Sequence, residues 1–401
     1  MQIHPRLVEK MSAGVQAAFP VILYYRHPIE QVRQCIARHY GTIKYELPFI
    51  NAIALELPAE NIDAVAKSSM VQWITDDAAV SKVAHPHASC TPGTCGPEMT
   101  AAKQGSTSGS FGSFGGFDSF GGDLVASDLP FQGFYERRPR FPVSVAAIDT
   151  GVALHRDLLE PASRIRGFKD FVGRRSDPYD DDGHGTHIAG ILCGLWGKER
   201  RPGPGLVAIK ALDSEGNGNA SDILAAMQWT LNNSRYYNIR VVNLSLGISP
   251  DQNYDSDPLV RGAEALTRRG LTVVAAAGNS GPAKATISSP GISPYVITVG
   301  ASDGVRVASF SSRGPAPRGI IKPDLVAPGV DIISLDASHP TGYIAESGTS
   351  MATPFISRAA AALYASFPRL DPVSVRRILL RAAVPLPGEP ATAQGHGLFL
   401  E

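Results

Sequence analysis

Apolar positions near the N-terminus switch between the period of a strand and that of a helix. Val21–Tyr25 is a short apolar run that predicts a strand. Pro28 suits a first helical turn, Ile29, Val32 and Ile36 follow at helical spacing, and Gly41 ends the element. Thr42 to Leu57 predicts two short extended runs, with Ile53, Leu55 and Leu57 alternating against their neighbours. A second helix is expected from Pro58, carrying Ile62, Val65 and Ala66, after which Val71–Thr75 returns to extended backbone. Strand, helix, two strands, helix, strand is the order of a small α+β plait of the ferredoxin-like type.

Residues 84–122 break this pattern. Gly105 to Gly122 is mostly Gly and Ser with phenylalanines interleaved, a composition that cannot repay its ordering entropy by burial, and it predicts a flexible linker. From Phe141 onward, apolar runs alternate with amphipathic segments. Strands are expected at Val143–Ile148, Leu206–Ala211, Val241–Ser245, Leu271–Ala277 and Tyr295–Gly300. Helices are expected after His184 and from Ser221, Asp257, Ser350 and Asp371, the last with Asp371-Pro372 as cap and first turn. Apolar strands separated by helices imply an α/β domain whose parallel sheet is covered on both faces, with its site at the carboxyl ends of the strands.

Composition narrows the partners. Lysine plus arginine and aspartate plus glutamate number 37 each, so the chain has no net charge to attract nucleic acid or an anionic membrane. No stretch is long and apolar enough to span a bilayer. Arg6 and Lys10 precede the moderately apolar run Ser12–Tyr25, but Gln16 and Pro20 interrupt it, so it does not fit a secretory signal and a cytoplasmic location is expected. The four cysteines, Cys35, Cys90, Cys95 and Cys193, include one close pair without a second ligand pair, which favours linker thiols over a zinc set or a disulfide.

Three segments carry candidate chemistry. Val145-Ala-Ala-Ile-Asp149-Thr-Gly151 ends an apolar strand on an aspartate, a position that structural carboxylates also occupy. Asp182-Gly183-His184-Gly185-Thr186-His187 places two histidines on one helix face. A metal pair would need a third ligand, and the general-base glutamate of the zincin pattern is missing, so His184 reads as a general base and His187 as a structural neighbour. Ser347-Gly-Thr-Ser350-Met-Ala-Thr-Pro354 puts a serine where a glycine turn feeds a helix, as either a cap or a nucleophile beside backbone N–H donors. Together the three have the composition of a hydrolytic triad: a hydroxyl, an imidazole to take its proton, and a carboxylate to fix the imidazole tautomer. Their chain order, Asp, His, Ser, is one of the known orders for that geometry.

With Asn243-Leu-Ser-Leu-Gly247, Ala276-Ala-Gly-Asn279-Ser-Gly-Pro282, Phe310-Ser-Ser-Arg-Gly-Pro315 and Lys322-Pro-Asp-Leu-Val-Ala-Pro-Gly329, these segments resemble the signatures of the subtilase family over roughly residues 141–400. Within it the chain is similar to the AprX-type bacterial proteases, a group without a secretory signal. The resemblance implies a subtilisin-like sheet and a serine endopeptidase working through an acyl-enzyme. Asp149, His184 and Ser350 would form the triad, and Asn279 would donate to the oxyanion. Ser245, Leu246 and Gly247 would pair with the substrate backbone. Ala275, Ala276, Ala277 and Gly278, with Ser288 to Gly291, would line the first specificity pocket, which carries no charge and implies a medium or large apolar side chain before the scissile bond.

The resemblance also gives the N-terminal plait a role. Residues 1–83 would be an inhibitory and chaperoning propeptide whose Asp77–Val83 tail lies in the groove, 84–122 a linker holding the processing site, and 123–401 the catalytic domain. The expected partners are protein or peptide substrates and the chain's own propeptide, with neither nucleic acid nor membrane. No cofactor is required. Calcium, common in relatives, finds no clear site: Leu195–Leu206 is short, basic and proline-rich, and Asp180-Asp181-Asp182 reads as a solvated acidic loop. Gly216-Asn-Gly218 lacks the lysine and context of a phosphate loop. Two other readings compete: a non-catalytic peptide-binding or signalling relative, and a narrow-specificity protease that activates another zymogen.

Overall fold

The structure, a computed structural model, describes residues 3–13, 16–83, 143–196, 201–248 and 254–400. The first unit begins with a helix that the apolar pattern did not reveal, α1 (Pro5–Ala13), whose Leu7 is buried and whose Lys10 pairs with Asp76 at 2.7 Å. It continues as β1 (Ala18–Tyr25), α2 (Ile29–Arg38), β2 (Thr42–Leu47), β3 (Ala52–Pro58), α3 (Ala59–Ala66) and β4 (Val71–Asp76). The sheet order is β2-β3-β1-β4, with β1 antiparallel to both neighbours, so the expected plait forms.

Both faces of this sheet are covered. Ile53, Leu55 and Leu57 pack into the cluster beneath the unit's own helices, while Ala52 and Ala54 join Ile22, Tyr24, Phe49 and Ile50 in a cluster shared with the rest of the chain. The alternation in β3 therefore marks two buried faces of different side-chain size, not one buried and one wet.

After a short strand β5 (Ala79–Lys82), the second unit runs β6 (Ser144–Asp149), β7 (Ile165–Asp170), α4 (His184–Cys193), β8 (Gly205–Lys210), β9 (Asn217–Asn219), α5 (Ala220–Asn233) and β10 (Ile239–Leu244). It continues with β11 (Leu246–Gly247), α6 (Pro258–Arg268), β12 (Thr272–Ala276), β13 (Ile297–Ser302), β14 (Leu325–Pro328), α7 (Thr349–Ser366) and α8 (Pro372–Ala382). Seven parallel strands form one sheet in the order β14-β13-β12-β10-β6-β8-β7. From β6 the chain passes to the edge strand β7, returns to β8 between them, then crosses to β10 and builds outward to β14. The change of direction at β6 opens a crevice at the carboxyl ends of the central strands.

The expected strands and helices lie within a few residues of these bounds; β7 and β14, at the two edges, were not anticipated as strands. Caps set several boundaries. Asp257 accepts from Val260 N at 3.0 Å and Asp371 from Ser374 N at 2.7 Å, each followed by proline in the first turn. The alanine-rich α7 is buried from Thr349 to Tyr364 and packs directly beneath the sheet, since small side chains permit close approach. Among the described residues no helix is long and apolar enough to cross a membrane. Cys35 and Cys193 are free and buried, whereas Cys90, Cys95 and the 84–122 segment lie outside the described residues.

The first unit sits on α5 and α6. The N-terminal amides of α5 have no cap from their own chain neighbour Asn219; Asp77 accepts from Ser221 N at 2.8 Å and from Ser221 Oγ at 2.6 Å, and Ala78 O accepts from Ala220 N. Lys44 Nζ and Tyr45 OH both donate to the Asp222 carboxylate, at 3.0 and 2.8 Å. Arg261 of α6 lies over the rings of Tyr24 and Trp73 at 4.6 and 4.3 Å.

Candidate active site

Asp149 ends β6 and His184 opens α4, and the two side chains are both about 1% exposed. His184 Nδ1 donates to Asp149 Oδ1 at 2.7 Å, an oxygen that also accepts from Thr150 N at 2.8 Å. The approach depends on Gly185, where a Cβ would collide with the carbonyl oxygen of Gly151. Thr150 Oγ1 accepts from Gly185 N at 2.8 Å and fixes the same junction. With Nδ1 engaged, the neutral imidazole presents the lone pair of Nε2, which is buried and has no protein partner. Burial pushes the His184 imidazole toward its neutral form. The charge and hydrogen bond of Asp149 outweigh this and leave its pKa above the ordinary histidine value, with Glu346 adding and Lys82 subtracting.

Ser350 is the second residue of α7, after Gly348 in extended backbone, so its amide belongs to the unsatisfied first turn of a long helix. Its hydroxyl lies 2.9 Å from Ser245 O and within hydrogen-bond distance of Val83 O. It makes no hydrogen bond to His184 Nε2 here; catalytic contacts of this kind often tighten only with substrate. Asn279 accepts through Oδ1 from Thr349 N and Thr349 Oγ1, each at 3.0 Å, and this holds its amide beside the residue preceding Ser350. Asn279 Nδ2 is buried with no protein partner. An unsatisfied buried donor is costly unless something negative arrives to meet it.

The groove already holds a strand. β5 runs between β9 and β11, antiparallel to both, with Lys82 opposite Leu246, Ser81 opposite Gly247 and Asn217, and Val80 opposite Gly218. Val83 N donates to Ser245 O at 3.3 Å and Lys82 N to Gly216 O at 2.8 Å. Ser245, Leu246 and Gly247, the segment that the family resemblance placed against a substrate backbone, line one side of β5. The opposite wall, Gly216–Asn219, was missed, although the two glycines of Gly216-Asn-Gly218 were a signal for close backbone approach. Ser288 N donates to Ala277 O at 2.8 Å, bringing Ser288 beside the Ala275–Gly278 strand end, and its Oγ fills the space where a Gly278 Cβ would stand.

His187 stands apart from this constellation. Its Nε2 is 2.9 Å from Ile332 O and 3.2 Å from Ile344 O, and burial lowers its pKa, so it is a structural histidine.

The expected solvated acidic loop is not what forms. Asp180 accepts from Gly183 N at 2.9 Å and from Thr186 N and Oγ1 at 2.8 and 2.7 Å, Asp181 pairs with buried Lys210 at 2.6 Å, and Asp182 pairs with Lys82 at 2.5 Å. Each carboxylate is committed to a different partner, because the tight turn into α4 points three successive side chains in different directions. They do not converge as a calcium cage would require. Among the described residues, no group of three or more His, Cys, Asp or Glu gathers as a metal-binding set.

Comparison with known proteins agrees with this geometry. The Subtilase family profile, Peptidase S8, matches residues 142–397. Serine protease AprX of Bacillus subtilis (strain 168) is 41% identical over 273 residues, which span 59% of this chain and 60% of that protein. An alkaline protease of Alkalihalobacillus alcalophilus is 32% identical over 348 residues, 85% of this chain and 76% of its own length. Subtilisin Savinase of Lederbergia lenta is 38% identical over 250 residues, 61% of this chain and 84% of its own length. Among solved structures, the subtilisin-related keratinolytic enzyme fervidolysin of Fervidobacterium pennivorans superposes with a TM-score of 0.70 at 21% identity, over 95% of this chain and 60% of that one. The parallel sheet, the Asp–His–Ser constellation at its carboxyl edge and the sequence match converge: the chain is a member of the subtilase family.

Proposed function

We propose that the chain is a serine endopeptidase that is made as a self-processing zymogen. Ser350 Oγ attacks the substrate carbonyl while His184 Nε2 takes its proton and later returns it to the leaving amine. Asp149 holds the Nδ1–H tautomer and offsets the charge that develops on the ring. Asn279 Nδ2 and the Ser350 amide receive the oxyanion, a contribution whose loss in comparable sites lowers kcat by about 10²–10³. The acyl-enzyme is then hydrolysed by the reverse sequence with water as nucleophile.

The observation that carries this reading is the pose of the N-terminal tail. Residues 79–83 add a strand between β9 and β11, and the Val83 carbonyl oxygen meets the Ser350 hydroxyl. This puts the Val83 carbonyl group beside the nucleophile, where a scissile carbonyl would stand; for attack its oxygen would turn from the Ser350 hydroxyl toward Asn279 Nδ2 and the Ser350 amide. The first unit would then be an intramolecular inhibitor, and the bond from Val83 to Ala84 its processing site. Val83 as the residue before the cut agrees with a preference for medium apolar side chains.

The test is a time course by intact mass and N-terminal sequencing of the purified chain. The wild type is expected to yield a new N-terminus at Ala84, and Ser350→Ala to remain uncut while keeping its fold. A wild-type chain that stays intact and hydrolyses no unfolded protein would leave only the peptide-binding alternative. Cleavage of casein at many positions would argue against an activator protease of narrow specificity.

A further inference from the structure

The residue before Val83 is held in a way that backbone pairing alone does not require. Lys82 is paired on both sides through its main chain, with Gly216 O and opposite Leu246. Its aliphatic stem lies along Gly216, which has φ +76°, and a Cβ on that glycine would collide with Lys82 Cγ, Cδ and Cε. The slot is therefore open to a long unbranched stem because the wall residue has no side chain. At the far end Lys82 Nζ meets Asp182 Oδ2 at 2.5 Å, and the Asp182 side chain is 5% exposed.

Asp182 is fixed in that direction. Its Oδ1 accepts from His184 N at 3.1 Å, while Oδ2 turns into the groove. Its neighbour Asp181 is neutralised by Lys210, and Asp180 is spent on backbone amides and Thr186. Of three adjacent carboxylates, one faces the substrate strand.

We infer that Asp182 and Gly216 form a subsite for a cationic side chain, lysine or arginine, at the second residue before the scissile bond, with Asp182 as its specificity-determining residue. This rests on the protease reading above. A substrate with a neutral residue there leaves a nearly buried carboxylate without its partner, and an acidic residue adds like-charge repulsion. Lysine and arginine both bring the charge and a stem that passes Gly216.

The test uses the processed wild-type enzyme and four internally quenched peptides that keep valine before the cut and carry Lys, Arg, norleucine or Glu one position earlier. The expected result is kcat/KM at least about tenfold higher for Lys and Arg than for norleucine, lower still for Glu, with the gap narrowing at high salt. In Asp182→Asn, which keeps an acceptor for His184 N, the Lys-to-norleucine ratio should fall close to one. Equal rates for Lys and norleucine in the wild type, or a ratio unchanged in Asp182→Asn, would overturn the subsite while hydrolysis of the norleucine peptide leaves the protease reading intact. Failure to cut any of the peptides would strike at the protease reading itself. Should Asp182→Asn fold poorly, Lys82→Met in the full chain gives an independent measure: self-cleavage after Val83 should slow by a similar factor, and an unchanged rate counts against the subsite.

Discussion

At the scale of single residues, the Asp149–His184 contact makes the most direct statement about pH. Catalysis needs a neutral His184, and Asp149 raises the pKa of the ring, so activity should disappear as pH falls through that raised value. In Asp149→Asn the imidazolium loses its counter-charge, its pKa drops, and the acidic limb must move to lower pH. The rate itself should fall by about 10⁴-fold, because an asparagine no longer selects the productive tautomer. First-order self-cleavage of the purified chain, followed across pH, reads both effects without a separate substrate. A limb that stays in place in the variant would mean that a group other than His184 controls it. The triad candidates Asp149, His184 and Ser350 were legible through their combination and chain order, since a strand end, flanking glycines and a glycine turn are each ambiguous alone. What was not legible was the use of Asp182: an acidic triplet reads as a solvated run until the turn into α4 is known to separate its side chains. Lys82 was expected in the groove as part of the Asp77–Val83 tail, but nothing marked its side chain, since a lone lysine beside a predicted linker is indistinguishable from any solvated charge.

At the scale of elements, the order of the plait and the central strands of the large sheet followed from hydrophobic period and caps alone. β7 was hidden because an edge strand, Ile165-Arg-Gly-Phe-Lys-Asp170, is only half covered and polar, and β14 because a proline-flanked tetrapeptide is too short to show a period. α1 was hidden because it is short, buries only Leu7 and runs into the apolar stretch Ser12–Tyr25. The interface between the units was equally invisible, since a cap supplied from another element leaves no local pattern. Asp77 supplies that cap to α5, and a carboxylate on two first-turn donors is worth about 1 kcal/mol by the usual N-cap scale. Asp77→Ala should therefore weaken retention of the cleaved N-terminal unit by roughly fivefold. It should show as a shorter lag between self-cleavage and the appearance of activity on an added peptide. An unaltered lag would mean that strand addition by β5, rather than the helix cap, controls release.

At the scale of the whole molecule, the two units keep buried clusters of their own and share a further one. Ile22, Tyr24, Leu47, Phe49 and Ile50 of the plait belong to the same buried cluster as Leu224, Met227, Leu259 and Leu266 of α5 and α6 and as Val207, Ile209, Val242 and Val273 of the large sheet. A contact of this kind differs from a tethered inhibitor that docks through its tail alone. Separating the units would expose apolar faces on both, so their unfolding should be coupled as long as the chain is uncut. Uncut Ser350→Ala is thus expected to melt in a single calorimetric transition, above the Tm of the catalytic unit from which residues 1–83 have been removed. Each kcal/mol of interface stability corresponds to roughly 2–4 °C for a domain of the catalytic unit's size. Two separate transitions in the uncut chain, with the lower one matching the isolated N-terminal unit, would show that the shared cluster contributes little. The pairing of β5 in the groove and the polar contacts of Asp77, Lys44 and Tyr45 would then have to hold the units together, and Lys82→Met in the Ser350→Ala background should lower the first transition more than it lowers the second.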